Sequence, residues 1–507
     1  MASVFEFRPE HPPQGRSLSR NHALELMKQN IDIYKTQVRI AGEKRNDIIV
    51  FPEYGLFGIF GYEKYARRSD VYPFLETIPD PRKVTWNPCT DRTSINNTEI
   101  QKELSCMAKL YDIYVVANVG EKVACKRHDP SCPEDGRYQY NTNVVYSTNG
   151  TLVAKYRKKH LFKESYFNSP TKTEIVTFNT HFGKFGLLTS YDSLFKSPIL
   201  DLIYKQRVRD IVMPSAWVSS LPLFRSIQWH SSLAQGLEIN LLVSTVHDGY
   251  SQSYGSGIYG PDGAKSYFSN PNDFGEKLIS DRLRLLTSFH QRERHPVIPR
   301  WPMSKTKTQN RSMAFLDQNV DFKFIELSKS SADVNICHGR FCCRLNYSVE
   351  NKGRIEKYAL AVYKGHVRTL GYLLEVEVCA VVRCSPQCGK PIERANTYFD
   401  TFHLVGVNFS TPYIFPQVLT LSGHEAVLAT HQWTYKHGQI IFHSPENPLH
   451  SASLIGRVYD RDTKDHRIKY SNGISIHKRN RNYAPVVQYA SSFILIVAFI
   501  ASTMFSS

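Results

Sequence analysis

The sequence predicts a layered α/β domain followed by a mostly β domain. Three observations carry this. Near the start, apolar residues twice recur in alternating steps of three and four before a short apolar run; paired strand-like runs then follow; and a stretch rich in charge and proline divides the chain late. At 507 residues the chain exceeds the roughly 250 to 300 at which single cores stop growing, so two domains are expected.

Taken in order, Ser3 to Phe7 reads as a strand. Leu24, Met27, Ile31, Tyr34 and Val38 fall on one helical face. "NDIIVFPE" is a buried strand closed by Pro52. A second unit places Ile100, Leu104 and Met107 on a helix before the strand "YDIYVVANVGE". In "NTNVVYSTNGTLVAKYRK" the Asn149-Gly150 pair marks a hairpin turn, which needs residues that tolerate positive φ. The runs "FGKFGLLTS", "RDIVMPSAW" and "INLLVSTVH" continue the sheets, the order expected of layered α/β. Between about Asp273 and Gln309 the pattern breaks into "QRERHPVIPRWPMSKTKTQNRS". Beyond it "FKFIELS", "KYALAVYKG", "YLLEVEVCAVVRC", "FHLVGVNFS", "YIFPQVLTLSG" and "QIIFHSP" all read as strands. The expected division is 1–285, a linker 286–310, a β-rich domain 311–470 and a terminal segment 471–507.

Apolar residues at 41%, aromatics at 12% and charged residues at 21% describe a folded chain. The net charge of +17 is scattered. Its clusters "KYRKKH" and "HQRERH" lie beside no RNP, zinc-finger or helix-turn-helix pattern, so a nucleic-acid partner is not expected.

The ten cysteines form two even groups. Cys89, Cys106, Cys125 and Cys132 come early, and Cys337, Cys342, Cys343, Cys379, Cys384 and Cys388 late. Even groups suit disulfides closed within each domain, although spacing does not specify the pairing. Irregular spacing without C-x-x-C argues against zinc, and neither metal nor cofactor is expected. Sequons at Asn96, Asn149, Asn310, Asn346 and Asn408 point, like the cysteines, to the secretory pathway. The uncharged tail "APVVQYASSFILIVAFIASTMFSS" follows small residues Ser471, Asn472 and Gly473 and a polar spacer. That order is the signal for a glycolipid anchor on the outer face of the membrane. A retained span is the alternative, but the basic residues Lys478, Arg479 and Arg481 precede the tail and none follows it. "MASVFEFRPEHPP" lacks the apolar core of a signal peptide, so a leader is expected to be missing from this sequence.

Three strand-like stretches end in chemistry: "IIVFPEYG" at Glu53, "AKYRKKHLF" at Lys158 and "LLTSYDSLF" at Ser190. A carboxylate, an ammonium and a small hydroxyl suit covalent attack on an acyl carbon. The carboxylate would move the proton, and the ammonium, with the backbone N–H of Tyr191, would stabilise the oxyanion.

On these stretches, and on "YNTNVVYSTNGTLVAKYRKKHLF", "NSPTKTEIVTFNTHFGKFGLLTSYDSLF", "IVMPSAWVSSLP", "GSGIYGPDG", "VNICHGRFCCRLNY" and "EVCAVVRC", the chain resembles the nitrilase superfamily and, within it, the vanin (pantetheinase) and biotinidase family. The resemblance covers nearly the whole chain. It implies a four-layer α-β-β-α sandwich followed by a β-rich base domain, amidase activity on linear amides such as pantetheine or biotinyl amides, Glu53 as general base and Lys158 as the family's lysine. The departure is Ser190, which stands where the family has its nucleophilic cysteine. Thr189, Tyr191 and Asp192 keep the surrounding pattern.

A thiol with a pKa of about 8.5 is within reach of a carboxylate base, whereas a serine hydroxyl is a far weaker acid that ordinarily needs histidine or a neutral lysine. Three readings follow: a pocket-retaining pseudoenzyme or binding glycoprotein, a working hydrolase using Ser190, and a structural surface glycoprotein. His160, His230 and His247 read as structural histidines, Trp217 as pocket wall or core, and Asp192 as a turn-orienting residue or a helix cap. The oligomeric state stays open.

Overall fold

In the computed structural model, residues 1–477 are described apart from 14–16, 60–65, 92–94, 127, 250, 273, 287–308, 316–317, 350–355, 386–393, 424, 444–445, 466–467 and 472–473. Met1–Asp465 is one compact unit.

Its first half carries two six-stranded sheets. One is built from β1 (Ala2–Glu6), β2 (Ile48–Val50), β3 (Tyr114–Ala124), β4 (Arg137–Tyr146) and β5 (Leu152–Arg157). The other holds β6 (Thr177–Asn179), β7 (Lys184–Leu187), β8 (Asp210–Ser215), β9 (Asn240–Thr245), β10 (Ser256–Gly260) and β11 (Gly263–Phe268). The first sheet is completed by β12 (Lys277–Asp281), antiparallel to β1. β12 lies inside the stretch from Asp273 where the sequence pattern breaks. Its ladder partner is remote in sequence, which a local pattern does not show. The sheet centres are parallel, β1 to β2 to β3 and β7 to β8 to β9.

Alternation along these strands builds the layers. Ile48 and Val50 join Val212 and Leu242 in a core between the sheets. Ile49 faces outward under helices α1 (Arg20–Glu43) and α3 (Glu99–Leu110), which flank the short α2 (Arg68–Val71). Ile211, Met213, Leu241 and Val243 pack beneath α4 (Ile199–Tyr204) and α5 (Ser226–Leu237). The result is the expected α-β-β-α order. Met27, Ile31, Tyr34 and Val38 are buried on α1, while Leu24 is half-buried. The Asn149-Gly150 hairpin is present, with Gly150 at φ +91°.

The second half is β-rich. It comprises β13 (Gln309–Phe315), β14 (Gln318–Glu326), β15 (Ser331–His338), β16 (Phe341–Val349), β17 (Tyr358–Thr369), β18 (Tyr372–Arg383), β19 (Phe399–Val407), β20 (Ile414–Ser422), β21 (Glu425–Leu428), β22 (Trp433–Lys436), β23 (Gln439–Phe442) and β24 (Leu449–Arg457). With the short β25 (Thr463–Lys464), which pairs with β18, they form an eight-stranded and a five-stranded sheet around a core that includes Leu345, Leu360, Val381, Leu404 and Leu454. Helix α5 is enclosed on every side: all of it but Gln235 is buried. Its core also takes in Phe322, Val376, Phe415 and Ile455 from the β-rich half. A Cβ on Gly236 would lie 2.4 Å from the Phe415 ring and 2.9 Å from the Ile414 carbonyl.

Disulfides join Cys89–Cys106, Cys125–Cys132, Cys337–Cys342 and Cys343–Cys379. Cys384 is also disulfide-bonded, and Cys388 lies outside the described residues. Asn96, Asn149, Asn346 and Asn408 are exposed; Asn310 sits in β13, and its side chain is outside the description. In the second unit, residues 466–507, Ile468–Ser471 pairs antiparallel with Ile474–His477. Ser471 ends the first of these strands, whereas Asn472, Gly473 and the apolar tail lie outside the described residues. Among the described residues no helix is long and apolar enough to cross a membrane.

Candidate active site

Glu53, Lys158 and Ser190 line one cleft, with Tyr54, Phe162, Glu164, Tyr191, Leu194, Ala216, Trp217, Val218, Ser220 and Thr369. It encloses about 600 Å³, counting space open to solvent. Each of the three follows a strand: β2 runs into Glu53, β5 into Lys158 and β7 into Ser190. Thr369 comes from the β-rich half, at the end of β17.

The charged centre is buried. Lys158 Nζ donates to Glu53 Oε1 at 2.7 Å and also to Glu164 Oε1. Asn141 Nδ2 donates to Glu53 Oε1 at 2.7 Å and to Glu164 Oε2 at 2.9 Å. The second oxygen, Glu53 Oε2, is buried with no hydrogen-bond partner among the described residues. Burial pushes the Glu53 carboxyl up to about 7; Lys158 pulls it down and Glu164 pushes it further up. Burial works against the Lys158 ammonium, but the two carboxylates outweigh it and hold the lysine above its usual range. Lys158 is therefore a cation and not a base, which removes the neutral lysine a serine nucleophile could have used. Two carboxylates around one ammonium are balanced when Glu53 carries a proton.

An amide ladder ties this centre to the far strand. Asn118 on β3 and Asn143 on β4 are cross-strand partners, and Asn118 Nδ2 donates to Asn141 Oδ1 at 2.6 Å and to Asn143 Oδ1 at 2.8 Å. Asn118 Oδ1 accepts from the Tyr54 N–H at 3.1 Å, steadying the bend after Glu53, where Tyr54 has φ +63°. Asn143 Nδ2 donates to the Leu188 carbonyl and to Thr189 Oγ1, at 3.0 and 2.7 Å, just before Ser190. All three asparagines are buried. The signal was the pair of asparagines two apart in "YNTNVV", which share one strand face. Glu164 had no comparable signal, because "FKESY" reads as surface.

Ser190 opens a 3-10 turn, Ser190–Leu194, with φ +35°. Its Oγ accepts from Ser215 Oγ at 3.3 Å and from the Ala216 N–H at 3.4 Å. Asp192 orients this turn against the lysine loop. It accepts from the Tyr156 hydroxyl at 2.6 Å, the Lys159 N–H at 3.3 Å and the His160 N–H at 2.7 Å, and lies 2.7 Å from His160 Nδ1. His160 stacks on Phe195, with ring centroids 3.6 Å apart, and does not line the cleft. His230 is buried in α5 and pushed down to about 3 by burial, so it is neutral. His247 Nδ1 pairs with Glu6 Oε1 at 2.7 Å, away from the cleft lining. Trp217 is both wall and core: it lines the cleft, donates from Nε1 to the Phe224 carbonyl at 3.0 Å and stacks on Trp229. Among the described residues no group of three or more His, Cys, Asp or Glu could hold a metal.

The arrangement fits acyl chemistry on a small amide: a carboxylate and an ammonium poised around a turn that presents Ser190. The chain is similar to known proteins along most of its length. Residues 13–240 match the carbon-nitrogen hydrolase family model and residues 313–462 the Vanin C-terminal domain. The chain is 38% identical over 479 residues to pantetheinase of Canis lupus familiaris, across 91% of this chain and 89% of the relative. It is 37% identical over 482 residues to a pantetheine hydrolase of Homo sapiens, with the same coverage. Biotinidase of Homo sapiens is 36% identical over 480 residues, across 88% of this chain and 86% of the relative. Among solved structures, a nitrilase-superfamily amidase from Nesterenkonia AN1 overlays at TM-score 0.37 and 19% identity, over 55% of this chain and 88% of its own.

Proposed function

Because this chain belongs to the vanin and biotinidase family of carbon-nitrogen hydrolases, we propose that its cleft takes linear amides of the pantetheine or biotinyl class and that Ser190 leaves their hydrolysis severely reduced or absent. The supporting observation is the mismatch between an intact buried centre and the group it serves. In the thiol version of this chemistry, Glu53 takes the nucleophile's proton as sulfur attacks the amide carbon. Lys158 and the Tyr191 N–H stabilise the oxyanion, and Glu53 returns the proton to the departing amine. Water then cleaves the acyl-enzyme. With a hydroxyl at residue 190 the first proton transfer is steeply uphill for a carboxylate at about 7. Lys158, held protonated by Glu53 and Glu164, cannot take over that step.

The pocket remains suited to holding an amide. Glu53 Oε2 has no partner among the described residues and is a ready acceptor for an amide N–H, or a donor when protonated. A binding role at the cell surface is the second reading, favoured by this retained polarity. We infer residence in the secretory pathway from the disulfides. Anchoring at Ser471, Asn472 or Gly473 is inferred from the sequence order of small site, spacer and apolar tail, and release from cells by a phosphatidylinositol-specific phospholipase tests it.

The deciding experiment compares hydrolysis of pantetheine and biocytin by the natural protein, Ser190→Cys and Ser190→Ala. The expected result is an inert natural protein and turnover by Ser190→Cys. Turnover by the natural protein that Ser190→Ala abolishes would make Ser190 a working nucleophile and overturn the proposal.

A further inference from the structure

The turn that carries Ser190 is held from two directions. Asp192 fastens it to the lysine loop within the first half, as described above. The other grip comes from the β-rich half. The β17–β18 hairpin tip brings Thr369 and Tyr372 against the turn: the Tyr191 hydroxyl bonds Thr369 Oγ1, and Tyr372 sits edge-on to Phe195, with centroids 4.8 Å apart. Further along, Arg457 Nη2 donates to the Leu194 carbonyl at 3.1 Å. The Arg457 guanidinium is itself fixed by Asp462 Oδ2 at 2.6 Å and by the Glu375 carbonyl at 2.6 Å, and the residue is 2% exposed.

Tyr191 is the residue directly after Ser190, and its backbone N–H is the one assigned to the oxyanion. Its ring forms cleft wall and its hydroxyl ends on Thr369, which is 8% exposed and lines the same cleft. A 3-10 turn of five residues has little internal rigidity of its own, so its setting is given by what its side chains reach. We propose that Thr369 is a positioning residue for the reacting group: through the Tyr191 hydroxyl, the β-rich half sets where the residue 190 side chain and the following N–H stand relative to Lys158. This rests on the reading that residue 190 is the reacting position of an amide cleft.

The test uses the Ser190→Cys protein, in which the described native cysteines are all in disulfides and the introduced thiol can be followed by mass spectrometry. Thr369→Val, Thr369→Ser and Tyr191→Phe are each added, and the rate of alkylation by iodoacetamide is measured from pH 5 to 10 beside hydrolysis of pantetheine. Thr369→Val keeps the shape and removes the hydroxyl. It is expected to move the alkylation midpoint to higher pH, as the thiol drifts from the ammonium. It is also expected to lower kcat by about tenfold to a hundredfold at nearly constant KM, the scale of a small misplacement. Thr369→Ser should restore both readouts. Tyr191→Phe should reproduce the Thr369→Val effect, and the double variant should add nothing to either single change.

Alkylation profiles and kcat in Thr369→Val that match the Ser190→Cys parent would overturn the proposal, as would additive effects in the double variant. If Ser190→Cys hydrolyses neither pantetheine nor biocytin, the functional reading fails, but the alkylation profiles still decide whether Thr369 sets the turn. Should Thr369→Val fold poorly by thermal unfolding, Tyr191→Phe against Thr369→Ser carries the same comparison.

Discussion

Lys158 Nζ stands 2.7 Å from Glu53 Oε1 with both side chains almost fully buried, at 2% and 1% exposure. A pair this deep is held by desolvated charge, and the second carboxylate, Glu164, makes it a triad with one acid too many. Below about pH 7 the surplus is absorbed by a proton on Glu53.

That proton makes stability depend on pH in a definite direction. The Glu53 carboxyl is raised from 4.5 to about 7 on folding. Between those values the folded protein binds more protons than the unfolded chain, so stability falls as pH rises through that window. Glu53→Gln removes the contribution. The variant should gain relative to the natural protein by up to about 3 kcal/mol at pH 8 compared with pH 4, on the scale of 1.36 kcal/mol per pKa unit. Denaturant titrations at the two pH values read this; an equal difference at both would contradict it.

Lys158→Met should be far more damaging above pH 7 than below. It leaves Glu53 and Glu164 buried without a cation, for which a loss of about 3 to 5 kcal/mol is the usual scale. Lowering the pH to 5 protonates the stranded Glu53 carboxyl and should return part of the melting temperature. A uniform loss across pH would show that packing and not charge is at stake.

Tyr156→Phe probes the strut between the lysine loop and the turn. It deletes the 2.6 Å bond to Asp192, both residues being fully buried, and should cost about 1.5 to 3 kcal/mol, as for bonds to a charged acceptor. In a Ser190→Cys background it should also slow turnover. Unchanged turnover with the full stability loss would confine the strut to folding.

Gly236→Ala sets two effects against each other. In an ordinary helix interior alanine is better than glycine by about 1 kcal/mol. Here the new Cβ would meet the Phe415 ring at 2.4 Å, and overpacking of that kind costs about 1 to 3 kcal/mol. The net is expected to be destabilising, and a rise in melting temperature would show that the β-rich half can draw back.

Much of the fold was legible because its periods are clean. One helical face from Met27 to Val38 and the apolar runs at Ile48–Val50, Ile211–Met213 and Leu241–Val243 declared themselves by spacing. β12 did not, since a five-residue strand flanked by charge takes its identity from pairing with β1. Nor did α5, whose serines and Gln228 are as buried as its apolar residues, so that its enclosure comes from the sheets around it and not from its spacing. At the site, Glu53, Lys158 and Ser190 stood at the ends of apolar runs, where sequence draws attention. Asn118, Asn141 and Asn143 sit inside strands, where an amide reads only as a poor strand former. Thr369 lies 179 positions from Ser190 in the chain, and only tertiary contact relates them.

Helix α5 has buried faces toward both the first-half sheet and the eight-stranded sheet. A gene cut within residues 286–310 would give each product a wet, oily surface in place of a shared interior, with Trp229 and Leu233 bared on one fragment and Phe415 and Ile455 on the other. Such fragments are candidates for aggregation and for chaperone retention. The two halves would need to be made together, and neither could be inherited, expressed or lost alone without disabling the other.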